Sequence, residues 1–267
     1  MKIAVTGSKG LLGSNLVENW GCVPIDCDVT DPQNVKYQLH KISPDVIIHT
    51  AAETNVDWCE KHPREAFEVN VRGTCNLIDV FHKGLFIYIS SVHVFGGDKF
   101  YTYSEQHKPD PVNQYGFTKW AGEAVANMGT CKTIVVRASK LFDEDIMRIG
   151  LKDLKEGVPQ EHPDFITRSF TYIPHFIQSL MKLIEIQETA PPIVNIASTD
   201  TWSHANFWRM TAHILGYDEK LIIHRKKDTG GVPRPWHGGL NTSLQRNLGL
   251  GSYSTVDGLN IVKEILG

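Results

Sequence analysis

The stretch that most constrains the fold lies near the start of the chain, Ile3-Ala4-Val5-Thr6-Gly7-Ser8-Lys9-Gly10-Leu11-Leu12-Gly13. A short apolar run of the kind found in buried strands ends in a glycine-rich turn. Leu11, Leu12, Leu16 and Val17 then recur at helical spacing toward Trp20, and Gly21 stops the helix. Gly7 permits the tight turn, Gly10 lets a pyrophosphate approach the main chain, and Gly13 lets helix and strand pack closely. The helix N-terminus then offers free N–H groups to an anion. A glycine triplet alone is weak evidence, but one that follows a strand and opens a helix points to a dinucleotide site.

The same alternation continues along the chain. Residues 23–26 read as a second strand, and Pro32 opens a helix through Leu39. Residues 45–52 form a buried strand running into small residues, 63–80 a helix, and 85–91 a strand with serines at its end. Residues 96–113 read as loop, 115–128 as helix and 133–137 as strand. Strands alternating with helices predict an α/β fold, a doubly wound parallel Rossmann sheet over residues 1–140. Beyond residue 140 the pattern is irregular. Residues 146–154, 173–186 and 202–215 read as helices, 193–196 as a strand and 222–241 as a loop. Residues 141–267 are therefore read mainly as a smaller C-terminal substrate-binding lobe, with segments returning to the sheet. Trp202, Phe207, Trp208 and Met210 are read as the core of that lobe.

Composition narrows the function. The 267 residues carry a formal net charge of −3, so no basic surface invites nucleic acid. The five cysteines show no C-x-x-C spacing and read as reduced thiols. The twelve histidines form no H-E-x-x-H motif or Cys/His cluster, so no metal is expected. No charged leader precedes the first strand, and no apolar run approaches the ~18 residues of a membrane span. The expectation is a soluble cytoplasmic protein with no membrane partner.

Ligands of such sheets bind at the carboxyl ends of the strands. The glycine turn, Ala51-Ala52 and Ser90-Ser91 all fall there and converge on one crevice. Tyr115 and Lys119 share a helix face one turn apart. A lysine ammonium beside a phenol favours the phenolate and lowers its pKa. A nearby serine hydroxyl could hold a carbonyl oxygen while the tyrosine protonates it, which is general-acid chemistry on a ketone.

Together these residues resemble the extended short-chain dehydrogenase/reductase family, and within it the dTDP-4-dehydrorhamnose reductases. Gly7-x-x-Gly10-x-x-Gly13 has the extended-family spacing. Asp28-Val29 matches the segment that places an acid and a backbone amide beside adenine. Ala51, Ala52 and Glu53 match the turn along the cofactor, and Asn70 belongs to a matching helix motif. Ser91 stands in the catalytic serine/threonine place, and Asn113-x-Tyr115-Gly116-x-Thr118-Lys119-x-x-Gly122-Glu123 matches the catalytic helix. The resemblance implies NADPH or NADH held by Gly7, Gly10, Leu11, Leu12, Gly13, Asp28, Val29, Ala51, Ala52, Glu53, Asn70, Tyr115 and Lys119. It implies hydride delivery to C4 of a nucleotide-linked 4-keto-6-deoxy sugar, in deoxysugar or surface-polysaccharide synthesis. Tyr115 would protonate the alkoxide, Lys119 would bind the nicotinamide ribose and depress the tyrosine pKa, and Ser91 would hold the carbonyl oxygen. It also allows a homodimer.

The pattern departs from the family where the sugar would lie. An acid and a tyrosine usually follow the catalytic serine or threonine, and here Val92 and His93 stand there. Lys140 replaces a tryptophan common in these reductases, and reads either as a solvated lysine or as the partner of a carboxylated or phosphorylated substrate. Trp236 lies in a Gly/Pro-rich loop that could line the pocket. Asp26 would favour NADH if it reaches the ribose, and Lys9 NADPH if it meets a 2′-phosphate. Two alternatives stay open. One is an epimerase or dehydratase of the same fold, against which the absence of a carboxylate pair after Ser91 argues. The other is a non-catalytic binding subunit resembling the regulatory subunit of methionine adenosyltransferase.

Overall fold

The computed structural model describes residues 1–98, 102–228 and 230–266. The first half runs β1 (Ile3–Thr6), α1 (Leu11–Trp20), β2 (Val23–Ile25), α2 (Pro32–Ile42), β3 (Val46–His49), α3 (Val56–Lys61), α4 (Pro63–Phe67), α5 (Gly73–Ile78), β4 (Leu85–Ser91), α6 (Gln114–Ala126) and β5 (Lys132–Ala138). The second half runs β6 (Lys140–Phe142), α7 (Glu144–Gly150), α8 (Lys152–Lys155), β7 (Gln160–Pro163), β8 (Thr167–Arg168), β9 (Phe170–Tyr172), α9 (Ile173–Glu185), β10 (Ile193–Asn195), β11 (Trp202–Ser203), α10 (His204–Leu215), β12 (Ile222–Arg225), β13 (His237–Gly238), α11 (Ser243–Asn247) and α12 (Thr255–Leu266).

Six strands form one sheet in the order β10-β5-β4-β3-β1-β2, with every pairing parallel. Successive strand side chains point to opposite faces, and both faces are covered, which is why these strands read as continuous apolar runs. Val5, Ile48, Ile87 and Val136 pack on one side with Leu16 of α1 and Phe176 and Leu180 of α9. Ala4, Ile47, Phe86 and Val135 pack on the other with Val35 and Leu39 of α2 and Leu77 of α5. The strand order reverses between β1 and β3, so the carboxyl ends of these two strands flank a crevice. Helix ends obey local chemistry. Gly21 closes α1 in the left-handed conformation, and the Asp31 carboxylate accepts the amides of Gln33 and Asn34 at the start of α2.

The second half builds its own core from Phe142, Met147, Leu151, Phe170, Phe207, Leu259 and Val262, with Trp202, Trp208 and Met210 packed at its edge. β10 leaves this half and pairs with β5 in the main sheet. Several sequence expectations need correction. The helix expected over 63–80 is interrupted by a π-helical turn, Glu68–Arg72. Trp202 and Ser203 pair with β8 as a strand, and α10 begins only at His204, capped by the Ser203 hydroxyl. Residues 222–241, expected as loop, contain β12 and β13, which pair with β7 and β8. Such short pieces, set among glycines and prolines, carry no periodicity to read. The sequence reading also left α3 and α12 unassigned, and the loop expected over 96–113 lies partly outside the described residues. No helix of the described residues is long and apolar enough to cross a membrane, and no group of three or more metal-ligating side chains occurs among them.

Candidate active site

The glycine turn after β1 is sterically obligatory. Gly7 has φ +65°, and a Cβ there would lie 2.7 Å from the Ala51 backbone. A Cβ on Gly13 would lie 2.1 Å from the Gly7 carbonyl oxygen. Gly10 starts α1 with no side-chain cap and no acid in the first turn, so its leading amides are left for a ligand. They face a crevice of about 260 Å³ that Gly10, Leu11, Leu12, Gly13 and Ala52 share with Ser91, Tyr115 and Lys119. A second recess of about 430 Å³ lies at the end of β2, bordered by Gly7, Ser8, Lys9, Asp26 and Asp28. Two recesses flanking a glycine turn fit the two halves of a dinucleotide.

Several residues expected at the cofactor also hold the surrounding turns together. The Val29 side chain is buried in the core against Gly73, which leaves the role expected of this position to its backbone amide. The Asn70 carboxamide accepts the Glu53 amide at 2.7 Å and donates to the Glu53 carbonyl at 3.0 Å and to Thr118 Oγ1 at 2.9 Å. The Glu53 carboxylate accepts the Asn55 amide at 2.8 Å. Asn70 and Glu53 thus clamp the segment after β3 rather than line the crevice. The Asp28 carboxylate stays at the recess while accepting the Thr30 amide at 2.9 Å.

Ser91 ends β4, and α6 brings Tyr115 to it. Asn113 Oδ1 caps α6 by accepting the Gly116 amide at 2.8 Å. A Cβ on Gly116 would lie 2.1 Å from the His93 carbonyl oxygen, so glycine lets the helix press against the turn after Ser91. Burial pushes the Tyr115 phenol up to about 12, with the nearby Ser91 hydroxyl pulling the other way. Lys119 is also buried, and burial brings its pKa down to about 7 against the opposing pull of Glu123. Its Nζ lies 4.2 Å from the centroid of the Tyr88 ring. The expected lowering of the tyrosine pKa by Lys119 is therefore not met. Burial disfavours the Lys119 ammonium as well, and its Nζ rests on the Tyr88 ring rather than beside the phenol.

Beneath this trio lies a buried ion pair that the sequence reading did not foresee. Glu123 accepts from Ser90 Oγ at 2.6 Å, from Arg137 Nε at 2.9 Å and from Arg137 Nη2 at 2.7 Å. It ties α6 to the ends of β4 and β5. The available signal was its place one turn beyond Lys119, on the same helix face.

At Ser91 and Tyr115 the crevice opens into a cavity of about 730 Å³. His93 and Lys140 line it, as does Trp236 at a rim where half of its surface is exposed. Val92 does not. It is 1 % exposed and packs with Val94, Phe95, Tyr103 and Leu240, because the short 3₁₀ turn Val92–Val94 swings this apolar residue inward. The His93 ring stands edge-on to Tyr115 at 5.3 Å. Its Nδ1 is buried with no hydrogen-bond partner among the described residues. Arg168 and His204 also line the cavity. Neither was singled out from sequence, because Arg168 sits on a two-residue strand and His204 at the first position of α10, both far along the chain.

A doubly wound sheet with a glycine turn after β1 and a serine, tyrosine and lysine gathered at β4 and α6 defines a Rossmann protein of the extended short-chain dehydrogenase/reductase type. Residues 1–151 match the family model described as RmlD substrate binding domain, and the chain belongs to that family. Methionine adenosyltransferase 2 subunit beta of Rattus norvegicus is 32% identical over 160 residues, 54% of this chain and 48% of that protein. A dTDP-4-dehydrorhamnose reductase of Aggregatibacter actinomycetemcomitans is 32% identical over 154 residues, 54% of this chain and 52% of that protein. The chain spans about half the length of the curated relatives it matches. Over full lengths, the solved dTDP-4-dehydrorhamnose reductase of Bacillus anthracis in complex with NADP is similar with a TM-score of 0.88 at 26% identity, covering 100% of both chains.

Proposed function

We propose that this chain is an NAD(P)H-dependent reductase of a nucleotide-linked keto-sugar, acting in the cytoplasm in deoxysugar or surface-polysaccharide synthesis. The observation that carries the reading is the meeting of the dinucleotide-shaped crevice and the large cavity at Ser91 and Tyr115. When bound, the cofactor supplies the hydride. The chain supplies the rest. The free amides of α1 hold the pyrophosphate. Ser91 donates to the carbonyl oxygen of the substrate, polarising it. Tyr115 donates its proton to that oxygen as the carbon is reduced, so the product is an alcohol and Tyr115 is left as phenolate. A phenol held near 12 keeps its proton until negative charge develops on the oxygen. Lys119, poised near 7, can hydrogen-bond the nicotinamide ribose and return a proton to Tyr115. Asp26 lies 3.6 Å from Lys9, so a 2′-phosphate has to compete for that lysine. The match to a neighbour solved with NADP supports NADPH, and the acid at the end of β2 supports NADH.

The testing experiment follows NADPH and NADH oxidation with dTDP-4-keto-6-deoxy sugar and its UDP and GDP analogues. Turnover with one of them supports the reading and identifies nucleotide and cofactor together. Bound cofactor with no oxidation by any of these sugars or by the corresponding nucleotide-linked 4-keto-hexuronates counts against it. A second reading draws on relatives described as methionine adenosyltransferase 2 subunit beta. It makes the chain a binding subunit, and stable co-purification with a methionine adenosyltransferase, without reductase turnover, would favour it.

A further inference from the structure

The cavity beyond Ser91 and Tyr115 holds more positive charge than its own carboxylates answer. Asp57 accepts from Arg234 at 2.6 Å, Asp228 accepts the Gly230 amide at 3.1 Å, and Arg225 lies 3.9 Å from Glu161. Lys140 and Arg168 remain. Among the described residues, neither has a carboxylate within ion-pair distance.

Arg168 is built into the fold. β8 holds it between β11 and β13, opposite Trp202 and Gly238. It is 4 % exposed, and its Nη1 donates to the adjacent Thr167 carbonyl at 2.7 Å; among the described residues its other guanidinium donors have no acceptor. A Cβ on Gly238 would lie 2.7 Å from that Nη1, so glycine there makes room for the side chain. Lys140 enters from the neighbouring strand, its amide donating to the Ser169 carbonyl at 3.1 Å. Lys140, Arg168, His93 and His204 all line the cavity, and burial, followed by Arg168, holds the Lys140 pKa down. The four side chains therefore share one wall. Lys140 is exposed on the open side of the cavity, and Arg168 is the desolvated member; a desolvated cation that lacks an anion disfavours the fold unless a ligand brings one.

The wall also borders the reacting end of the cavity, because His93 stands edge-on to Tyr115. In a nucleotide-linked pyranose the diphosphate sits on the anomeric carbon, across the ring from C4. A carboxylate at C6 is attached beside C4. Resting on the keto-sugar reading above, we propose that Lys140 and Arg168 form an anion subsite for a carboxylate carried by the sugar ring itself. The substrate is then an acidic keto-sugar, and a planar carboxylate matches the Arg168 fork.

The test titrates the full chain, saturated with NADP, with UDP-glucuronate and UDP-galacturonate against UDP-glucose and UDP-galactose. Free glucuronate and galacturonate against glucose and galactose form a second arm, read by ligand-observed NMR. An acidic probe is expected to bind at least about tenfold tighter than its neutral counterpart. Lys140→Met should reduce that preference to under about twofold while leaving the neutral sugar's affinity unchanged. Arg168→Lys, which keeps the charge if Arg168→Gln does not fold, should retain part of it. Equal affinity for acidic and neutral probes overturns the proposal. So does Lys140→Met weakening both alike, since the cations would then serve the diphosphate. If the free acids bind through Lys140 and the nucleotide sugars do not, the subsite stands and the nucleotide-linked reading falls.

Discussion

Lys119→Met exchanges a buried, titrating amine for a neutral side chain of similar length. Folding carries the Lys119 ammonium from water to a place where it is 4 % exposed, and its pKa falls from 10.5 to about 7. Above pH 10.5 the amine is neutral whether the chain is folded or not. As the pH falls toward 7 the unfolded chain takes up a proton that the folded chain refuses, so stability is lost across that window. Below 7 both states hold the proton and the loss stops. The displacement from 10.5 to 7 corresponds to about 5 kcal/mol in full, of which about 2 kcal/mol falls between pH 7 and pH 9. Urea unfolding of both proteins without cofactor, at steps through that range, reads the difference. The wild type should gain about 2 kcal/mol on the variant between pH 7 and pH 9. Parallel pH profiles would refute the argument, because Lys119 would then keep its ordinary pKa in spite of its burial against the Tyr88 ring.

Tyr115→Phe should lower reductase turnover by about 10²–10⁴-fold, the usual worth of a general acid, while cofactor affinity measured by fluorescence titration stays nearly unchanged. Glu123→Gln leaves the Arg137 guanidinium buried without its carboxylate and should cost about 3–5 kcal/mol in urea unfolding. A loss below about 1 kcal/mol would show that the pair is solvated. Gly13→Ala places a Cβ against the Gly7 carbonyl oxygen, so calorimetry should show cofactor binding lost along with a lowered melting temperature. Unchanged binding would mean that the turn can relax.

The glycine turn that borders the crevice was legible because its signals are local. Gly7 needs a positive φ, Gly13 needs to lack a Cβ, and both demands are written within one turn of chain. Tyr115 and Lys119 share a helix face by period alone. The reading failed where an outcome depended on competition between environments. Val92 was placed toward the sugar by its position after Ser91, yet an apolar side chain follows the apolar cluster of Phe95 and Leu240 when the backbone allows it. The Tyr115 phenol was expected to be lowered by its lysine neighbour, but burial acts on both groups and raises one while discharging the other.

The sequence by itself determined the doubly wound sheet, the glycine cradle after the first strand and the grouping of Ser91, Tyr115 and Lys119, since these rest on the alternation of strands and helices, on strand ends and on spacing within one helical turn. Only the tertiary structure decided which charges face the cavity. Lys140 comes from a strand beside β9, and Arg168 from two residues held between β11 and β13. Their convergence beside His93 depends on pairings between segments distant in the chain, and the absence of a carboxylate partner among the described residues is a property of folded space that no local pattern encodes.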